Sequence, residues 1–396
     1  MPNLYNFLQD GLSYSFDDVF VPADAFRQGN LWTWGYNTLG QLGDNTTTNR
    51  STPVTTFAGG TNWKQVACGN NHTAAIKTDG TLWTWGSNGN GQLGINNAAT
   101  TSSTPVTTFA GGTNWKQVAC GAANVAAIKT DGTLWTWGLN TSGQLGDNTA
   151  INRSTPVTTF AGGTNWKQVS SGFNHTAAIK TDGTLWTWGQ NGTGQLGNNT
   201  TTDRSTPVTT SAGGANWKQV TCGSGYTSAI KTDGTLWTWG FNTNGQLGIN
   251  NTTTPILTPV TTFAGGTNWK QVSSGVYNAA AVKTDGTLWT WGINNIGQLG
   301  DNTTTNRSTP VTTFAGGTNW KQVACGGFQY TSAIKTDGTL WTWGRNSFGQ
   351  LGDNTTTQRN TPVTTLAGGT NWKQVDAANG GNHTTAIRTS DDLQGI

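Results

Sequence analysis

Glutamate is absent from this chain, methionine occurs once, and only 10% of the residues are charged. Long amphipathic helices draw on Glu, Lys, Met and Leu for propensity and surface pairing, so a helical architecture is excluded and turns and strands remain. No stretch is long and apolar enough for a membrane-spanning helix, and the first residues lack the basic-then-apolar order of a secretory signal. The expectation is a chain without a membrane partner that stays in the cytoplasm where it is made. Basic runs are missing too: the net charge is +3 and the lysines are spread evenly along the chain. That spacing argues against a nucleic-acid partner.

What is abundant is glycine, threonine, asparagine and tryptophan, arranged in a repeat. The string LWTWG begins at Leu31, Leu82, Leu134, Leu185, Leu236, Leu288 and Leu340, seven copies spaced 51 or 52 residues apart. GQLG, TPVTT and NWKQV recur between them in fixed order, and the 21 tryptophans are all accounted for by the two in each WTWG and the one in each NWKQV. A constant period of this size marks a repeat architecture. Each unit reads as four strands, around TPVTTF, NWKQVAC, HTAAIKT and TLWTWG, and four antiparallel strands repeated seven times describe an all-β, seven-bladed propeller. Residues 1–28 stand outside the repeat, and residues 29–396 are the propeller domain.

The last two strands of a unit are joined by Asp79–Gly80, a pair suited to a two-residue hairpin turn. That turn predicts Thr78 opposite Thr81, Ile76 opposite Trp83 and Ala74 opposite Trp85. One face of the blade then carries Ile76, Ala74 and both tryptophans, the other Ala75, Lys77, Leu82 and Thr84, and Trp83→Ala is expected to open a cavity between blades. The final repeat ends at HTTAIRTSDD, 383–392, without an LWTWG of its own, whereas the first copy, GNLWTWG at 29–35, has no strand before it. Pairing Thr385–Thr389 with Asn30–Gly35 completes a shared closing blade and removes the exposed edge.

The order HTAAIKTDGTLWTWGSNGNGQLG at 72–94 resembles the repeat of the regulator of chromosome condensation family, over roughly residues 29–389. The resemblance implies a seven-bladed propeller with a shared closing blade. It also brings the activity of the family's best-known member, guanine-nucleotide exchange on the small GTPase Ran together with chromatin docking. That activity depends on diverged loops and a wedge-like insertion, and these near-uniform repeats carry no such insertion.

Candidate chemistry is sparse. His72, His175 and His383 share one slot, occupied elsewhere by Asn124, Tyr226, Asn278 and Tyr330, and read as strand-end polar residues; one residue per blade does not make a metal site. Cys68, Cys120, Cys222 and Cys325 share a slot with Ser171 and Ser274 and are expected as free thiols. GQLG precedes no helix and so is not a phosphate cradle. Asp44, Asp147, Asp301 and Asp353 are lone carboxylates beside Asn, too sparse for a calcium cage. The reading is a protein with no enzymatic activity, cofactor or metal.

The positions that vary carry more information. After WTWG stand Tyr36, Ser87, Leu139, Gln190, Phe241, Ile293 and Arg345, with Leu39, Asn90 and Phe348 before GQLG. A second variable band holds Phe173, Tyr226, Tyr277, Phe328 and Tyr330. Exposed aromatics at such loop positions suit a partner, either a host-surface protein or a glycan. In residues 1–28, Leu4, Tyr5, Phe7, Leu12, Tyr14, Phe16 and Phe20 lie among four aspartates, and Leu12, Tyr14 and Phe16 alternate like a strand able to join a neighbour's sheet. With the glutamate-free, Thr/Asn/Gly-rich composition this suggests a bacteriophage virion component, on capsid or tail, bound to other virion proteins through an N-terminal arm. A stand-alone bacterial binding or adhesion module and a guanine-nucleotide exchange factor are the alternatives.

Overall fold

A computed structural model describes residues 29–327, 329–378 and 380–389. Each repeat forms a four-stranded antiparallel sheet, and seven such blades surround one axis. In blade 1 the strands are a (Trp63–Cys68), b (His72–Lys77), c (Leu82–Gly86) and d (Ser102–Thr107), hydrogen-bonded in that order. Strand a of every blade touches strand a of the next, and Trp372–Ala377 of blade 7 touches Trp63–Cys68 of blade 1. Strand a is therefore innermost, strand d is outermost, and the ring is closed.

The closing blade is built from both ends of the chain. Its strands are Trp372–Ala377, His383–Thr389, Gly29–Gly35 and Arg50–Thr55. Gly29 lies opposite Thr389 and Gly35 opposite His383, so the missing strand of the last repeat is supplied by the first.

The hairpin register differs from the sequence expectation by one residue. Ile76 faces Leu82, Ala75 faces Trp83 and Thr73 faces Trp85. The cause is local. The Asp79 carboxylate accepts the Thr81 N–H at 2.9 Å and the Thr81 hydroxyl at 2.7 Å, and the Lys77 N–H reaches the Thr81 carbonyl at 3.0 Å. The loop is thus Thr78-Asp79-Gly80, three residues long, with Gly80 in the left-handed region at φ +80°. A one-residue slip moves every side chain to the opposite face. Trp83 and Trp85 consequently share a face with Thr73, Ala75 and Lys77, whereas Leu82 and Thr84 share the other with Ala74 and Ile76.

Large still packs against smaller, with reassigned members. Trp63, Val66, Ala75 and Trp85 of blade 1 bury themselves against Leu31 and Ile387 of blade 7. Trp63 meets Trp83 and Trp85 edge-on, with ring centroids 6.3 and 6.2 Å apart. Trp85 is fully buried, but Trp83 is only half-buried, its ring covered by the Lys77 ammonium 4.5 Å from the centroid. The residue whose loss empties the blade interface is therefore Trp85, not Trp83.

Two recurring motifs are latches between blades. The Gln41 carbonyl of GQLG in blade 7 accepts hydrogen bonds from Trp85 Nε1 and the Thr73 hydroxyl of blade 1, each at 2.9 Å. The next glycine must stay small, since a Cβ on Gly43 would sit 2.7 Å from Trp85 Nε1. In NWKQV, Gln65 Nε2 donates to the Val118 carbonyl while Gln65 Oε1 accepts the Val118 N–H. The same pair recurs from Gln374 of blade 7 to Val66 of blade 1. This belt satisfies inner-strand backbone groups that would otherwise be stranded at the hub.

Candidate binding surfaces

The antiparallel order gives the ring two unlike faces. Strand b ends and strand c begins at one, where Lys77 and Leu82 flank the tight turn and where strand d passes to the next blade; this is the turn face. The short a–b turns and the long c–d loops lie at the other, the loop face.

Each c–d loop is held by one buried asparagine. In blade 7, Asn37 Oδ1 accepts the Leu42 N–H at 2.9 Å, and its amide donates to Asp44 at 3.0 Å and to the Thr46 and Thr48 carbonyls at 3.1 Å. Asp44 also pairs with Arg50 at 2.8 Å, an ion pair repeated as Asp147–Arg153, Asp301–Arg307 and Asp353–Arg359. Burial raises the Asp44 pKa, but hydrogen bonds from Thr46, Arg50 and Asn37 outweigh it and the net shift is downward. These carboxylates are thus committed to holding their own loops. Among the described residues no three His, Cys, Asp or Glu side chains assemble into a metal site.

On this rigid base the two variable bands become one surface. The residue after each WTWG donates its backbone N–H to the a–b turn of the same blade: Tyr36 to Asn382, Phe241 to Gly225, Ile293 to Tyr277 and Arg345 to Gln329, each at 2.9 Å. Among the described residues, five of the seven blades carry an aromatic side chain on this face, Tyr36, Phe173, Phe241, Tyr277 and Phe348. Tyr36 of blade 7 meets Phe348 of blade 6 at 4.9 Å, the Arg345 guanidinium lies 5.9 Å from the Phe348 ring, and Phe241 meets Tyr277 at 6.2 Å. Ile293 and Leu139 are half-buried on the same face, and Tyr277 is exposed. Phe173 leans across the mouth of the central channel, where a Cβ on Gly380 of blade 7 would stand 3.3 Å from its ring.

Two expected members of that surface are absent from it. Tyr226 and Tyr330 are fully buried at the start of strand b, and the Tyr226 hydroxyl donates to the Asn278 carbonyl of the next blade at 2.6 Å. They belong to the slot of the histidines, which faces the neighbouring blade and not solvent. Phe328 and the arm residues Leu4 to Phe20 lie outside the described residues.

The histidines are strand-end residues, and they are also wholly enclosed. His175 Nε2 is 2.9 Å from the Thr227 hydroxyl and His383 Nε2 is 3.0 Å from Thr73, each on the following blade. Burial lowers the His72 pKa to about 4 and those of His175 and His383 to about 3, so all three are neutral near pH 7. The four cysteines are buried, and burial pushes the thiols of Cys222 and Cys325 up to about 12. They line a channel of ≈ 170 Å³ together with Ser171, Ser274 and Asp376. Asp376 accepts the Cys68 N–H at 2.7 Å, as the hydroxyls of Ser170 and Ser273 accept those of Cys222 and Cys325. Burial pushes its pKa up to about 7, against the lowering effect of that N–H.

Sequence reasoning missed the turn face. Phe57, Phe109, Phe160, Phe263 and Phe314, with Leu366, stand just beyond strand d, 61–66% exposed. The TTFAGG string that carries most of them is nearly invariant, so attention to variable positions passed over it. The evenly spaced lysines are likewise gathered on this face, because strand a begins and strand b ends there.

A family model of the RCC1-like domain matches residues 25–269, and models of the regulator of chromosome condensation (RCC1) repeat match 285–331 and 337–387 and, in a second form, 269–298 and 320–350. The ultraviolet-B receptor UVR8 of Arabidopsis thaliana is 32% identical over 336 residues, 83% of this chain and 76% of that protein. The E3 ubiquitin-protein ligase HERC2 of Homo sapiens is 29% identical over 94% of this chain, which spans 8% of HERC2. Among solved structures, yeast RCC1 (Prp20) bound to Kap60 superposes with a TM-score of 0.80 at 18% identity, covering 99% of this chain and 97% of that one. Human WBSCR16 gives 0.80 at 21% identity, covering 91% and 100%. At such identities the likeness shows the fold.

Proposed function

Because the chain belongs to the RCC1-like repeat family, we propose that it is a non-enzymatic binding propeller whose loop face takes a protein partner. The observation that carries this reading is the break in sevenfold uniformity: blades that agree almost residue for residue elsewhere differ where Tyr36, Arg345 and Phe348 meet and where Phe241 meets Tyr277. Tyrosine and arginine are enriched among the few residues that carry most of the energy at protein interfaces, and aromatic side chains lose little entropy on binding. A glycan stacked on the same rings is the second ligand class that this chemistry suits.

Display on a larger assembly through residues 1–28, with a bacteriophage particle as the concrete case, is the finer version, and the composition alone supports it. The test is affinity capture from the proteins and particles of the source cell with the wild-type chain and a Tyr36→Ala/Arg345→Ala/Phe348→Ala variant. A protein retained by the first and lost by the second supports the reading. Equal retention by both contradicts it, and release of the captured material by a free glycan alone assigns the sugar.

A further inference from the structure

The lysines are regular in sequence but one-sided in space. The Lys of every NWKQV is the second residue of a strand a, and the Lys or Arg after every strand-b Ile or Val is the last or next-to-last residue of a strand b, both at the turn face. Fourteen of the 21 basic residues stand there, against the aspartates of the six described b–c turns. On the loop face four of the five arginines that start a strand d, Arg50, Arg153, Arg307 and Arg359, are paired with aspartate at 2.8–2.9 Å. The turn face is thus a basic ring bordered by one exposed apolar side chain on each of six blades, Phe57, Phe109, Phe160, Phe263, Phe314 and Leu366.

The chain joins the ring at that same face. Gly29 begins strand c of blade 7, opposite Thr389, and bridges to Trp63, the first residue of strand a in blade 1. The segment before it has the complementary character. Residues 1–28 hold Asp10, Asp17, Asp18 and Asp24 against a single Arg27, with aromatic side chains between them.

We propose that residues 1–28 dock on the turn face of their own ring, the aspartates against the lysines and the aromatic residues against the exposed phenylalanine rim, beginning at Phe57 on the same blade. Tethering favours this occupant, because a segment joined directly to the surface meets it at an effective concentration on the order of millimolar. An extended reach of about 90 Å is enough to cross the face. Opposite charges at an exposed surface make the contact salt-sensitive. The inference stands apart from what the loop face binds and is the alternative to an arm that attaches the ring to a larger assembly.

The test uses the full chain. Equal amounts of unlabelled and 15N-labelled protein are mixed and treated with a carbodiimide that joins carboxylates to amines, and the cross-linked peptides are read by mass spectrometry. The expected result is joining of Asp10, Asp17, Asp18 or Asp24 to turn-face lysines within single-isotope pairs, reduced several-fold in 1 M salt. A second measurement compares lysine acylation in the wild type and in Asp10→Asn/Asp17→Asn/Asp18→Asn/Asp24→Asn; the variant should react several-fold faster at the same lysines. Mixed-isotope pairs at the statistical half would assign the face to a second copy and overturn the proposal. Absence of arm-to-lysine pairs, or unchanged acylation, would overturn it as well.

Discussion

The two faces of this ring are made by the same seven repeats and differ in what repetition has left on them. At the turn face six of the seven blades offer nearly the same text, a three-residue Asp-Gly turn, a lysine over two tryptophans and, in most of them, an exposed phenylalanine. At the loop face the scaffold is equally regular, with an asparagine anchoring each c–d loop, but the side chains above it change from blade to blade. Uniform anchoring with varied display is the arrangement expected of a recognition surface. Uniform display is what a packing or self-covering surface needs.

The strongest way to break the comparison is acid, because the buried histidines lie in a layer beneath the loop face. Their folded pKa values are below the unfolded one, so their stabilisation is complete above pH 6.5 and is lost as the pH falls toward 4. Each should remove on the order of 2 kcal/mol between pH 7 and pH 5. Asp376 works in the opposite sense. Its raised pKa means stability falls as pH climbs from about 4 to 7, but it is one group against three and is partly open to the channel. Denaturant titrations at several pH values should show a stability loss on acidification that His72→Asn reduces by about 2 kcal/mol, since asparagine already fills that slot at Asn124 and Asn278. Asp376→Ser should raise stability at pH 8 and leave it nearly unchanged at pH 4.

Next in size are the blade interfaces shared by both faces. Trp85→Ala should cost about 3–5 kcal/mol in urea unfolding, whereas Trp83→Ala, half-exposed beneath Lys77, should cost about 1–2 kcal/mol. Equal losses would contradict the observed difference in burial between the two. Gly43→Ala combines φ +70° with a Cβ 2.7 Å from Trp85 Nε1, so about 2–4 kcal/mol is expected. Gly59→Ala, with φ +54° but open space around it, should cost about 1–2 kcal/mol. The smallest stability effect belongs to Tyr36→Ala, Arg345→Ala and Phe348→Ala, each within about 0.5 kcal/mol of wild type, while binding at the loop face is lost.

The fold was legible in the sequence because a repeated unit states its period, its turn residues and its missing closing strand in letters alone. Register was not. The Asp79 side chain turns a two-residue loop into a three-residue one, and that single added residue exchanges Trp83 with Leu82 between faces. Tyr226 and Tyr330 were misplaced for a related reason: one residue separates the exposed a–b turn from the buried start of strand b, and variability alone does not mark that boundary. The turn face stayed hidden because Lys64 and Lys77 are thirteen residues apart in the chain and come to one end of the blade only when antiparallel strands a and b pair.

The most direct test of the central claim, that recognition is confined to the loop face, is hydrogen-exchange protection of the ring with and without its captured partner. The account predicts slowed exchange at 36–43, 241–246, 276–278 and 345–350, with the b–c turns and the segment around Phe57 unchanged. Protection confined to the turns and the Phe57 segment, with the c–d loops exchanging freely, would contradict it.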